Sequence, residues 1–206
     1  MSFVQFILPF IKSETQTEKK WRTVKVIKYL KKKFPDAKIA LAFNNPIQLL
    51  VAVILSAQCT DKKVNEVTLG IFEKYKTAGD FASLSQKQLE KLIHSCGFYR
   101  NKAKNIIAAC KIIKSKFNGQ LPKTMAEMLT LPGVARKTAN VVLGNAWGVV
   151  EGIAVDTHMI RLNQKLGFTK ESNPVKIERD LMRLVPKKDW FGYTYMIINY
   201  GRRVCP

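Results

Sequence analysis

Apolar side chains recur along this chain at the three- and four-residue spacing of helices, and the alternation expected of strands is nearly absent. From about Thr17 to Lys33, Trp21, Val24, Ile27 and Leu30 make an apolar stripe on an otherwise basic segment, which predicts an amphipathic helix buried along that stripe. "NNPIQLLVAVILSAQ" is uniformly apolar from Leu49 to Leu55, with Asn45 and Pro46 as start signals. A helix apolar on all sides belongs in the middle of a core. "SLSQKQLEKLIHSCG" opens with Ser85 three places before Gln88, the spacing of a capping box, and closes on Gly97. "SNPVKIERDLMRLVP" starts on Asn173 and Pro174 and stops at Pro186. These patterns predict an all-α protein of about ten short helices, without repeats or a low-complexity linker.

Length and composition narrow this further. A chain of 206 residues accommodates one compact domain or two small ones, and 47% hydrophobic content supplies a core. Thirty-five Lys and Arg against 15 Asp and Glu, with a pI near 9.9, point to a polyanionic partner, above all nucleic acid. The four cysteines, Cys59, Cys96, Cys110 and Cys205, are scattered and suggest neither a zinc site nor a disulfide framework. They read as reduced thiols of an intracellular protein. The N-terminal "FVQFILPFI" is too short to span a bilayer, is interrupted by Pro9, and lacks the preceding basic residues of a signal peptide. It is read as a loosely ordered leader over residues 1–16, and no membrane partner is expected.

The candidate chemistry concentrates in "LPGVARKTANVV". Leu131-Pro132-Gly133 ends a short helix, "TMAEMLT", and Arg136 begins another with Ala139, Val142, Leu143 and Ala146 on one face. The second helix presents unpaired N–H groups and the positive end of its dipole, which suit a phosphate oxygen with Arg136 and Lys137 nearby. A plain helical corner has the same spacing. At Lys137, the helix dipole and neighbouring Arg136 both favour the neutral amine, and burial would add to them. A neutral lysine is a nucleophile able to form a Schiff base, although a phosphate-binding or solvated lysine fits the same position. Further on, in "GIAVDTHMIRLNQKLG", Asp156 follows an apolar run and precedes a helix as an N-cap. A carboxylate held there can also stabilise developing positive charge or handle a proton. His158, two residues on, fits a structural role.

"LPGVARKTANVVLGNAWG" followed by "IAVDTH", with "LLVAVILSAQCTD" upstream, resembles the endonuclease III family of helix-hairpin-helix DNA glycosylases. The likeness is collinear from about Ile39 to Cys205. It implies two helical domains flanking a DNA-binding groove: a six-helix domain over residues 39–150, and a second combining residues 17–38 with 151–206. It further implies a bifunctional DNA glycosylase and AP lyase of base excision repair. Such an enzyme removes oxidised pyrimidines from duplex DNA and cleaves the abasic site by β-elimination. By the same resemblance Lys137 is the nucleophile, Asp156 its essential partner, and His158 a support of the pocket. Gln58 matches the glutamine that fills the gap left by the flipped nucleotide. Phe98 stands where relatives usually carry a leucine wedge, though a core role is equally open. Gly133, Ala135 and Arg136 of the hairpin are expected to contact DNA. So do Arg100 and Lys102, in a stretch from Gly97 to Asn118 with six Lys or Arg and no acid. The expected partner is double-stranded DNA carrying damaged bases or abasic sites, bound by a monomer inside the cell.

Two positions depart from the family pattern. Ala135 replaces the commoner second glycine of the hairpin; alanine is costly there if φ must be positive and harmless at an ordinary helix start, which is the expectation. Cys205 matches the first of four cysteines that in relatives hold a [4Fe–4S] cluster, but as an orphan it completes no metal site. No cofactor is therefore expected for the chain as given, and the helix from Trp190 to Gly201 should be less anchored. Two other readings compete: a non-enzymatic or decayed helix-hairpin-helix DNA-binding protein, and a mismatch-specific monofunctional glycosylase. Retention of both Lys137 and Asp156 speaks against the first. Lys137 speaks against the second, whose members usually carry serine or tyrosine there.

Overall fold

The structure, a computed structural model, describes residues 14–206, so the apolar stretch "FVQFILPFI" and nearly all of the expected leader lie outside the described residues. The described residues contain helices and no strand. The chain enters through α1 (Gln16–Lys33). Residues Ala40–Val149 then form one compact unit. It holds α2 (Pro46–Leu55), α3 (Asp61–Lys74), α4 (Ala78–Ser83), α5 (Gln86–Ile93), α6 (Tyr99–Lys116), α7 (Met125–Met128) and α8 (Arg136–Trp147). These are seven α-helices where the resemblance implies six; α7 is a single turn of four residues. The second unit joins residues 14–39 to Val150–Pro206 and adds α9 (Thr157–Lys165), α10 (Pro174–Leu184) and α11 (Trp190–Arg203). No helix among the described residues is long and apolar enough to cross a membrane.

Helix α2 organises its unit. Every residue from Ile47 to Leu55 is buried, as an all-round apolar helix requires, and α3, α6 and α8 pack against it. Asn45 caps its start by accepting the amide of Gln48 at 3.0 Å. The one polar side chain inside it, Gln48, donates to the carbonyl of Phe72 at 2.9 Å and accepts from the amide of Asn44 at 2.9 Å. Burial therefore leaves that amide satisfied rather than orphaned. The capping box expected at Ser85 is present: its hydroxyl accepts the Gln88 amide, and the Gln88 side chain accepts the Ser85 amide.

In the other unit the phase of α1 differs from the expected stripe. Its buried face is Arg22, Thr23, Val26, Ile27 and Leu30. Trp21 is 62% exposed and Val24 48% exposed. The core, built with Phe34, Met159, Leu162, Phe168, Ile177, Leu181, Tyr193 and Ile197, selects Val26 over Val24. That turn of the helix places Arg22 inside. Its guanidinium bonds both Glu14 carboxylate oxygens, at 2.7 and 2.8 Å, and the carbonyl of Leu166 at 2.7 Å, and it stacks on the Phe168 ring at 4.7 Å. Trp21 on the solvent side is instead covered by the Lys25 ammonium, 3.3 Å from its ring centroid. Helix α11 packs on α1 and α9 and buries Tyr193, Thr194, Met196, Ile197 and Tyr200. Its apolar face completes this core.

Hydrogen bonds from Arg22, joined by its charge and opposed by burial, hold the Glu14 carboxyl below its usual value. Its contribution is thus complete above the unfolded-state value near 4.5 and is lost as pH falls through the lowered folded value. Glu14→Gln should cost about 1–3 kcal/mol at pH 7, less than full loss of a buried partner because the amide still accepts one bond. Denaturant titrations should show the gap between variant and parent shrinking as the solution is taken to pH 3; a gap independent of pH would overturn the ion-pair account.

Candidate active site

The hairpin is built on a glycine that nothing else replaces easily. After α7 the Leu131 amide bonds the Met128 carbonyl at 3.1 Å, and the Val134 amide bonds the Leu131 carbonyl at 3.1 Å. Leu131 and Val134 are buried and tie the turn to the core. Gly133 between them has φ +77°, and a Cβ there would lie 2.9 Å from Cβ of Asn105 on α6. Positive φ and close approach together demand glycine. Ala135 has φ −91° and ψ 170°, an extended N-cap. The missing second glycine therefore carries no backbone strain, in keeping with the harmless reading, although Ala135 is the cap itself and not a residue of the first turn. Unlike Asn45, Thr60, Thr77, Ser85 and Thr124, which cap the starts of α2, α3, α4, α5 and α7, it offers no side-chain acceptor to the first-turn amides. Those amides keep the polarity of an uncapped helix start, with Arg136 half-buried beside them.

Lys137 follows on the first turn of α8, and it is exposed. Its amine is open to an incoming substrate. Behind it, Ala139, Val142 and Leu143 are fully buried and α8 packs on α2, so the lysine stands on a rigid base.

Asp156 belongs to the other unit. Its Oδ1 accepts the Met159 amide at 2.8 Å, making it the N-cap of α9. The preceding Ile153, Ala154 and Val155 are buried, and the Thr194 hydroxyl of α11 donates to the Ala154 carbonyl at 3.0 Å. Deeper along α9, the fully buried Tyr193 hydroxyl donates to Asn163 Oδ1 at 2.6 Å, and the Asn163 amide donates to the Met159 carbonyl at 2.8 Å. Helix α11 thus fixes the start of α9 and the carboxylate on it. His158 is half-buried against the same helix: a Cβ at Gly201 would fall 2.6 Å from its Nδ1. Thr194 and Gly201 were not among the residues singled out from sequence. A glycine inside the helical run "MIINYGRR" is the local sign of close approach that could have found the second.

The remaining expected DNA contacts lie in two turns. Gln58, just past the end of α2, is exposed with φ 51°. Phe98, before α6, is 65% exposed with φ 47°, which removes the core alternative for it. Arg100 is exposed on the first turn of α6, its guanidinium 5.5 Å from the Tyr99 ring centroid. Lys102 corrects the expectation. It is only 5% exposed, and its ammonium donates to the carbonyls of Leu55 at 2.8 Å and Cys96 at 2.6 Å. Turned into the unit, it is out of reach of a phosphate; Arg100, Lys104, Lys111, Lys114 and Lys116 of α6 are the solvent-facing cations.

Cys205 is half-buried beside α9, where Arg161 donates to its sulfur at 3.6 Å and its carbonyl at 2.6 Å, and Lys165 approaches the sulfur at 3.7 Å. A [4Fe–4S] cluster takes four such ligands, and among the described residues Cys205 is not joined by others into a group of three or more His, Cys, Asp or Glu able to hold a metal.

Comparison with known proteins agrees with this geometry. Residues 51–187 match the family described as HhH-GPD superfamily base excision DNA repair protein. Endonuclease III of Synechocystis sp. is 53% identical over 187 residues, covering 91% of this chain and 85% of the relative. Endonuclease III of Bacillus subtilis is 46% identical over 173 residues, covering 84% and 78%. Among solved structures, a non-covalent endonuclease III–DNA complex superposes with a TM-score of 0.87 at 44% identity, covering 91% of this chain and 87% of that one. A trapped endonuclease III–DNA covalent intermediate also gives 0.87 at 44%, covering 91% and 88%. With this hairpin, helices and no strand among the described residues, and a match over this length, the chain belongs to the HhH-GPD superfamily of base excision DNA repair proteins and, within it, to the endonuclease III family of DNA glycosylases.

Proposed function

We propose that this glycosylase is bifunctional, excising oxidised pyrimidines from duplex DNA and then cutting the abasic strand through a Schiff base on Lys137. The observation that carries the reading is an exposed lysine on the first turn of α8, directly after an uncapped hairpin turn suited to a phosphate. The existence of a trapped covalent intermediate for a 44% identical endonuclease III supports it. The damaged base leaves the stack at a cost of a few kcal/mol that the lesion partly offsets. The neutral amine of Lys137 attacks C1′, and the C1′–N bond to the base breaks, its electron pair leaving with the base. Asp156 stabilises the positive charge that builds on the sugar and relays protons. Ring opening gives the protonated imine, which acidifies the C2′ proton; its removal expels the 3′ phosphate by β-elimination. Gln58 and Phe98 occupy the space the extruded nucleotide vacates, while the hairpin amides, Arg136 and Arg100 hold phosphates. The chain acts as a monomer on intracellular DNA, and this chemistry asks for no cofactor.

Borohydride added to the protein on abasic duplex should trap a covalent complex that Lys137→Ala abolishes. No trapping by the parent, or trapping unaffected by that substitution, sinks the assignment. Asp156→Asn should lose most turnover yet keep its fold and DNA affinity, because asparagine caps a helix as well as aspartate does. Full activity in that variant would refute the role of the carboxylate.

Ala135→Asp separates stability from binding. An acceptor at the N-cap should raise stability by about 0.5–2 kcal/mol. The same carboxylate would stand where a phosphate oxygen docks, so duplex affinity at low salt should fall at least tenfold. Thermal melting and fluorescence anisotropy read the two effects; unchanged affinity would remove the hairpin amides from the phosphate contacts.

A further inference from the structure

Lys102 is a buried cation that the chemistry above leaves unused. Its ammonium donates to two backbone carbonyls, and no ion pair with a carboxylate holds it among the described residues. The Leu55 carbonyl closes α2, where the helix dipole is negative and the last C=O groups lack helical partners. The Cys96 carbonyl closes the 3-10 turn His94–Cys96, one residue before Gly97 at φ 58°. Charge-assisted bonds to two such carbonyls offset part of the cost of burying the ammonium. Burial still draws Lys102 below the usual lysine value, against the opposing influence of the Cys59 and Cys96 thiols. Burial first, and then Cys59, pushes the Cys96 thiol up to about 11, so it brings no negative charge to the cluster near neutrality.

The position of these carbonyls matters more than their number. One precedes Gln58 by three residues, and the other precedes Phe98 by two. Gln58 and Phe98 are two of the three non-glycine residues at positive φ among the described residues, with Asn118 the third. Such a conformation is unfavourable for a side chain bearing a Cβ and persists where the surroundings hold it. A single ammonium therefore fastens together the two turns that carry both exposed, left-handed side chains.

We propose that Lys102 is a positioning residue for base extrusion: it locks the two turns so that Gln58 and Phe98 are presented in their working conformation before DNA arrives. The proposal rests on the reading of those two residues as gap-filling side chains. It predicts an effect at the step where a base leaves the stack, and little effect on imine chemistry at Lys137. Lysine is required over arginine or glutamine by reach, since one compact ammonium meets both carbonyls from the inner side of α6.

The test is a kinetic cycle on full-length protein. Lys102→Met keeps the length of the stem and removes the donors. Single-turnover excision of thymine glycol from a duplex should slow at least tenfold. Borohydride trapping on a ready-made abasic site, where no base has to be unstacked, should stay within about threefold of the parent. In a Gln58→Ala/Phe98→Ala background the same substitution should slow excision by no more than about twofold, since the residues through which it acts are gone. Excision within twofold of the parent, equal losses on both substrates, or full additivity with the double variant would each overturn the proposal. Should Lys102→Met fail to fold, Lys102→Arg, which keeps the charge but not the compact reach, enters the same cycle under the same criteria. A parent that traps normally while these criteria fail refutes only the role of Lys102; a parent that does not trap refutes the lyase reading itself.

Discussion

A helix that is apolar on every side has to be enclosed, and Pro46–Leu55 meets that demand with three other helices packed around it. Much else in residues 40–149 follows from this. Helix α8 is held by its own buried Ala139, Val142 and Leu143 against that central helix, which sets where its first turn and Lys137 emerge. Helix α6 packs there too, and its Asn105 meets the hairpin at Gly133 so closely that a single methyl group would not fit. The far end of the central helix leaves a carbonyl at Leu55 that has run out of helical partners, and Lys102 reaches it.

The residues of functional interest stand mostly at helix ends, and the ends are finished in contrasting ways. Asp156 caps α9 with its own carboxylate, so the proposed partner of Lys137 also completes local structure, and α11 braces it through Thr194 and Tyr193. Ala135 leaves α8 without a side-chain cap, so the amides there face outward with their polarity intact. Gln58 and Phe98 stand beyond helix limits in a backbone conformation that their side chains disfavour, held by the bonds of a buried ammonium. In each case the free energy of a well-packed interior supports a terminus that would be unremarkable or unfavourable alone.

The helical class, the capping box at Ser85, the Asn45 and Asn173 starts and the caps generally were legible in the sequence, because they depend on side chains one to four residues apart. The hairpin glycine and the Asp156 cap were legible for the same reason. What could not be read was which of two nearby residues turns inward. Trp21 fits the apolar stripe better than Arg22, yet Arg22 is inside, because Glu14, the Leu166 carbonyl and the Phe168 ring converge there from elsewhere in the chain. Arg100 and Lys102 differ little in sequence context, and one faces solvent while the other closes a clamp 47 positions away from Leu55. Gly201 opposite His158 belongs with them. Local hydrogen bonding and periodicity are properties of a short segment and can be read there; the direction of a long side chain is decided by carbonyls, rings and carboxylates brought near only when the helices pack.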